Sequence, residues 1–304
     1  MKVDSLLSFL TMTYLFDIIS DRTINFFMGN NDHLHPEVYN YIKYPFQEVR
    51  LNLEDIPPVD DGTTRIVIVS DTHERHAKLL IPKADALIHC GDIFMLSRYF
   101  SLQTGIRKLE EFNCWLEKLP CKTKFVIGGN HDSVLEKLGC EKVQQILTNG
   151  VYLENNFGEI GNLRIWGSPA SSGASGNKAF QSKSFCSQSL NEAPPNVDIL
   201  LTHGHCPDLE EKVSHQIHIW GHSHNSYGIR RPPDMLKGHP VRSLSICAPI
   251  MDRRFQPSHL PVVLDISTNS LASQPPVTIK SEQGRKSDSK SNIVRLKSSR
   301  IIPL

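Results

Sequence analysis

Five apolar, largely β-branched runs in this chain each end in a short polar word made of Asp, Asn, His and Gly. Arg65–Val69 leads to Asp71-Thr72-His73, and Ala86–His89 leads to Gly91-Asp92. Lys124–Ile127 precedes Gly129-Asn130-His131-Asp132, Asp198–Leu201 precedes Thr202-His203-Gly204, and Ile217–Trp220 precedes Gly221-His222-Ser223-His224. Such continuous runs suit strands buried on both faces of a sheet. In open α/β sheets, ligands bind beyond the carboxyl ends of the strands. A fold that brings these five words to one sheet edge makes a cluster of carboxylates and imidazoles.

Further strands are predicted at Leu163–Trp166, Ser243–Ile246 and Val262–Leu264. Leu102, Ile106, Leu109, Phe112 and Leu116 recur every three or four residues, one apolar face of a helix, and Pro120 ends it. A shorter helix is predicted over Lys142–Leu147. Strands alternating with helices early and following one another late predict an α/β fold, a layered sandwich of two mixed sheets flanked by helices.

Carboxylate and imidazole suit Mn, Fe, Zn or Ni better than Ca. Asp92 could bridge two such cations ~3.5–4 Å apart, as in two-metal hydrolases. The alternation in Asp71-Thr72-His73 and His222-Ser223-His224 puts both ligating side chains of each word on one side of an extended segment. Each word alone is weak, and the first is more often a turn. Five in order after strands make a strong signal.

These words, in this order, resemble the calcineurin-like metallophosphoesterase superfamily, whose pattern is D-x-H, G-D, G-N-H-[DE], H and G-H-x-H. Within it the chain is similar to the metallophosphoesterase-domain-containing proteins of animal brain, through VSDTH, FNCWLEKLP, FVIGGNHD, RIWGSP, DILLTHG and FQPSHLPVVLDI. The resemblance implies a calcineurin-like αββα sandwich with two divalent metal ions. One would be held by Asp71, His73, Asp92 and His224, the other by Asp92, Asn130, His203 and His222. It implies that His131 sits at the substrate phosphate as the catalytic histidine, beside Asn130, and that a hydroxide bridging the metals attacks phosphorus in line. The implied substrate is a small phosphate ester, with a lean to phosphodiesters, cyclic nucleotides among them. A phosphomonoesterase, and a non-catalytic adaptor built on the same fold, remain as alternatives. The Tyr of purple acid phosphatases and the D-R-G of Ser/Thr protein phosphatases are absent after Asp92. After Gly167-Ser168-Pro169, where the family usually carries tryptophans, this chain has a Ser/Gly segment.

The remaining histidines, of 14 in all, have blander readings. His205, two residues past a ligand, stands between a substrate contact and a structural role. His89 and His218 fall within strands, and His33, His35, His76, His215, His239 and His259 read as surface or loop residues. Cys90, Trp166 and Trp220 read as packing.

The 304 residues carry 33 Lys+Arg against 32 Asp+Glu, a balance that gives no bulk-charge signal for nucleic acid or an anionic membrane. Seven cysteines without a C-x-x-C suit reduced thiols in a cytoplasmic protein. Residues 1–60 read as an extension with an apolar helix over Leu6–Ile19, shorter than the ~20 residues of a membrane span, with a signal peptide or membrane-associated helix as the alternative, and a linker at Pro57-Pro58. Residues 61–270 read as the metallophosphoesterase domain. Residues 271–304, rich in Ser and Lys, read as a disordered tail. Nothing in the sequence names a protein partner for the extension or the tail.

Overall fold

A computed structural model describes residues 38–44, 47–173, 175–236 and 238–267. In chain order the strands are β1 (Val38–Lys43), β2 (Gln47–Asn52), β3 (Thr63–Val69), β4 (Ala84–His89), β5 (Cys121–Val126), β6 (Val151–Tyr152), β7 (Asn156–Ile160), β8 (Leu163–Ser168), β9 (Ile199–Thr202), β10 (Ile217–Trp220), β11 (Gly228–Arg230), β12 (Met235–Leu236), β13 (His239–Pro240), β14 (Leu244–Cys247) and β15 (Val262–Ser267). The α-helices are α1 (Leu102–Glu117), α2 (Ser133–Leu138), α3 (Cys140–Ile146), α4 (Lys183–Glu192) and α5 (Pro207–Lys212).

Two mixed sheets form, ordered β2-β1-β15-β3-β4-β5-β6 and β11-β14-β10-β9-β8-β7. Period-two alternation explains their stacking. Ile66 and Ile68 of β3 join Ile88, Phe125, Ile165, Ile199, Leu201, Ile217, Ile219 and Ile246 in one buried cluster drawn from both sheets. Val67 and Val69, on the opposite face of β3, pack with Leu109, Phe112, Trp115 and Leu116 of α1. Trp166 and Leu200, on the outer face of the second sheet, pack with Leu209 of α5, with Phe185 and Leu190 of α4 against them. The result is a helix–sheet–sheet–helix sandwich. Every strand run predicted above falls on an observed strand. Helix α1 starts where Ser101 Oγ accepts the Thr104 N–H and ends three residues before Pro120.

Strands β3, β4 and β5 run parallel, as do β8, β9, β10 and β14. Their carboxyl ends meet where the sheets are joined: Ser70 bridges to Pro249, and Ile250 N donates to Ser70 O at 2.8 Å.

Two strands lie inside the stretch read as an extension. β1 pairs with β2 and runs parallel to β15, so the sheet begins at Val38, ahead of the expected boundary at 61. Tyr39 and Ile42 are fully buried, and the Tyr41 hydroxyl donates to Asp265 Oδ2 at 2.9 Å. Arg65 grips the same carboxylate through two bonds of 2.7 Å and donates to Pro57 O, which fixes the proline linker against the sheet. The expected helix over Leu6–Ile19 and the tail 271–304 lie outside the described residues. No helix among the described residues is long and apolar enough to cross a membrane.

Candidate metal centre

At the joined strand ends the backbone takes conformations that L-residues seldom adopt. Asp71, His73, Asp92 and His222 have φ of 52°, 43°, 55° and 62°. Each such residue stores about 1–3 kcal/mol of strain, which persists only where the surroundings enforce it. Here Asp71 N donates to Gly91 O at 2.9 Å, His73 N to Asp92 O at 3.1 Å and Glu74 N to Ile93 O at 2.7 Å, binding the first polar word to the second.

Backbone carbonyls then fix the imidazole tautomers. Nδ1 of His73 donates to Phe94 O (3.0 Å), that of His131 to Met95 O (2.6 Å), that of His203 to Cys90 O (2.8 Å) and that of His224 to Asp252 O (2.7 Å). A carbonyl only accepts, so each neutral ring presents a lone pair at Nε2. These lone pairs converge on other acceptors. His224 Nε2 lies 3.2 Å from Asp71 Oδ1 and 3.5 Å from His73 Nε2. His203 Nε2 lies 3.3 Å from Asp92 Oδ1 and 3.0 Å from Asn130 Oδ1, which faces His222 Nδ1 at 2.7 Å. Asp92 Oδ2 is 3.9 Å from His73 Nε2 and 4.0 Å from His131 Nε2.

Acceptors gathered this closely repel unless positive charge sits among them, so the donor set fits divalent cations. Three groups have ligand atoms close enough to hold one: Asp71 with His73 and His224, His73 with Asp92 and His131, and Asp92 with His203 and His222. Asp92 and His73 each belong to two of them. All seven residues expected as ligands, and His131, meet at this edge.

The charges of the protein alone point the same way. Burial opposes ionisation of Asp71, yet His224 and His203 hold its carboxyl below the ordinary range. Burial likewise opposes charge on Asp92, and His203 and His131 hold its carboxyl well below that range. Burial resists a proton on His203, but Asp92 and Asp71 pull its pKa up to about 9. A cation would supply the charge which that proton otherwise provides. Burial, and then the neighbouring His131, push His73 down to about 3, leaving it a neutral donor.

Several supporting residues carry no role in the sequence reading. Asp132 was part of the third word, and its buried carboxylate accepts N–H groups from Gly129 (2.8 Å), Phe94 (3.0 Å) and Ile93 (3.2 Å), tying the second word to the third. Ser70 Oγ donates to Asp71 Oδ2 at 2.5 Å, and His222 N lies 2.9 Å from the same oxygen. Phe255, in FQPSHLP, sets its ring 5.1 Å from those of His73 and His224 and 6.1 Å from that of His131. Ser175 and Asn177, on the Ser/Gly segment, reach Asn130 and His131, and no local pattern marks them.

His205 belongs to none of the three groups. Its Nε2 lies 3.1 Å from Glu210 Oε1, and its ring packs near Trp220 and His239. His89, His218, Trp166 and Trp220 are fully buried, as expected of core residues. Burial raises the Cys90 thiol well above its ordinary value, so it stays protonated and inert. Of the residues read as surface or loop, His76 lies in a turn after β3 and packs against Phe112 and Trp115, and His215, in the loop before β10, is buried with Nδ1 donating to Val213 O. His33 and His35 lie outside the described residues.

Residues 64–226 match the family described as Calcineurin-like phosphoesterase. The human Metallophosphoesterase domain-containing protein 1 is 30% identical over 283 residues, covering 76% of this chain and 80% of its own length. A UPF0046 protein of Caenorhabditis elegans is 27% identical, covering 73% of this chain and 86% of its own. A solved structure described as a novel archaeal phosphodiesterase aligns with 66% of this chain and 99% of its own, at 15% identity and a TM-score of 0.31. On the family match over more than half its length, and on the human relative, the chain belongs to the calcineurin-like phosphoesterase family.

Proposed function

We propose that this protein hydrolyses phosphate esters, phosphodiesters in preference to monoesters, at a centre of two divalent cations. One would be held by Asp71, His73, Asp92 and His224, the other by Asp92, Asn130, His203 and His222. The observation that carries the proposal is the convergence of imidazole nitrogens and carboxylate oxygens at one strand edge, centred on Asp92. When bound, the cations would polarise the phosphoryl oxygens and lower the pKa of a water to near neutrality.

The residues of the chain do the rest. Asp71 and Asp92 offset about half of the roughly +4 that two cations bring. An attacking hydroxide removes one more charge, and the remainder suits the single negative charge of a diester. His131 stands with Nδ1 anchored on Met95 O and Nε2 on the Asp92 side of the centre, free of any carbonyl. With a proton at Nε2 it can donate to an equatorial phosphate oxygen or pass that proton to the leaving oxygen. Phe255 covers the flank of His73, His131 and His224 and keeps water from it.

The test is a substrate panel with Mn²⁺, comprising aryl diesters, aryl monoesters and cyclic nucleotides, on the wild type and His222→Ala. The expected result is metal-stimulated turnover, fastest on diesters, that His222→Ala lowers by about a hundredfold or more. A wild type that retains no transition metal and hydrolyses none of these esters would instead mark an adaptor.

A further inference from the structure

We propose that Asn177 is a positioning residue of this centre, its side-chain amide orienting His131 while its backbone carbonyl orients Asn130. The inference rests on the reading of the site as a phosphoesterase centre. Asn177 lies in the Ser/Gly segment between β8 and α4. Its Nδ2 is 3.0 Å from His131 Nε2 and 3.2 Å from Nδ1. Nδ1 gives its proton to Met95 O in the ring plane, and an atom this close to both ring nitrogens sits over the ring face, so the Asn177 amide packs on the imidazole and leaves Nε2 to the substrate side. Met95 O in the plane at Nδ1 and the Asn177 amide against the face hold the ring from two directions.

The same segment sets Asn130. The Asn130 Nδ2 donates to Ser175 Oγ at 3.0 Å and to Asn177 O at 3.2 Å, and Ala179 N donates to Asn130 O at 3.2 Å. With Nδ2 engaged there, Oδ1 is the end of the amide turned toward His203 and His222, where a cation needs an oxygen. The segment is fastened from outside the site: Arg98 Nη1 donates to Gly176 O at 2.8 Å and Phe180 N to Glu136 Oε1 at 2.7 Å. One loop therefore aligns both the amide ligand and the histidine that faces the substrate.

The test uses the full chain loaded with zinc and labelled with ¹⁵N-histidine, as wild type, Asn177→Ala and Asn177→Asp. The His131 signals are identified by their loss in His131→Gln. The wild type should show a single fixed neutral tautomer protonated at Nδ1. Asn177→Ala should give mixed or broadened ring signals. Asn177→Asp keeps the shape but replaces the amide against the ring face by a carboxylate, and should shift the His131 ring signals. With Mn²⁺ and an aryl diester, Asn177→Ala should lower kcat by about tenfold, with KM changed by less than about twofold and metal content unchanged. Unaltered His131 signals in both variants would overturn the inference, and so would loss of zinc or of the fold in both, which would make Asn177 merely structural. A wild type inactive on every ester, with the His131 signals still responding to Asn177, would remove the phosphoesterase reading and leave the positioning contact standing.

Discussion

The Nε2 atoms of His73 and His224 face each other across 3.5 Å, although both rings have already given their Nδ1 protons to backbone carbonyls. With Asp71 Oδ1 3.2 Å from His224 Nε2, three electron-rich atoms share one buried spot. Against the cost of burial, the pairing of His224 with Asp71 already holds the Asp71 carboxyl below its ordinary range, and a cation that binds only the folded chain stabilises that chain further by mass action. At a hundred times its dissociation constant such a cation adds about 2.7 kcal/mol. Mn²⁺ or Zn²⁺ should therefore raise Tm by several degrees, and a chelator should reverse the gain. In Asp92→Ala the gain should shrink sharply and hydrolysis of an aryl diester should stop. Calorimetry with and without chelator checks the first outcome. Undiminished turnover by Asp92→Ala would refute the assignment of that carboxylate.

His131, with its Nε2 4.0 Å from Asp92 Oδ2, is the one histidine at this edge that stands outside both proposed ligand sets. Its removal should cost catalysis more than metal. His131→Ala should keep its metal content by mass spectrometry and lose roughly 10²–10⁴-fold in kcat. If the ring protonates the leaving oxygen, the loss should be smallest for nitrophenyl esters, whose leaving group needs no proton. An equal loss across leaving groups of different basicity would restrict His131 to stabilising charge on the equatorial oxygens.

Gly221 opens the last polar word at a place that leaves no room for a side chain. A Cβ there would overlap Ser70 Oγ and Asp71 Oδ2, which are packed into the buried sheet junction. Gly221→Ala should therefore displace Asp71 and empty the group formed with His73 and His224. The measurement is bound metal per chain, expected to fall while far-ultraviolet circular dichroism stays at the wild-type level. A full metal complement in Gly221→Ala would show that the junction can yield.

The legible part of this protein was the part written in adjacent residues. β3, β4, β5, β9 and β10 announce themselves as apolar runs, and each polar word follows directly, so the residues that meet at the sheet edge could be named before any geometry. What stayed hidden depends on contacts between distant residues. β1 carries Asn40 between buried tyrosines and is followed closely by Pro45, a mixed pattern that makes a strand only because β15 lies alongside. Helices α2 and α5 span six residues each, too short to display a period. Asn177 sits 46 residues from the histidine it touches, in a segment without periodicity. His215 is a loop residue between α5 and β10, and its burial, beside the His218 ring, comes from contacts that its own segment does not announce.

Glu210 gives the protein an acid-sensitive bond away from the metals. Its carboxylate, on α5 and nearly inaccessible, has Oε1 3.1 Å from His205 Nε2 and 3.3 Å from His218 Nδ1. On the far side of the His218 ring, Nε2 meets Thr202 Oγ1 at 2.7 Å, directly before His203 in the chain. Burial disfavours the charge on Glu210, yet His218, His205 and His215 hold its pKa down to about 2, below the ordinary 4.5. A depressed carboxyl binds its proton more weakly in the folded state than in the unfolded one. Its contribution is therefore complete above about pH 4.5 and lost as pH falls toward about 2. With chelator present throughout, so that metal release does not enter, the wild type should lose stability over that window. Glu210→Gln should start roughly 1–3 kcal/mol less stable at neutral pH, because it leaves buried ring nitrogens poorly paired, and should show a flatter acid limb. Urea midpoints measured from pH 7 to pH 3 decide it. Parallel curves for the two proteins would mean that the pairing of Glu210 with His218 and His205 adds nothing to the fold.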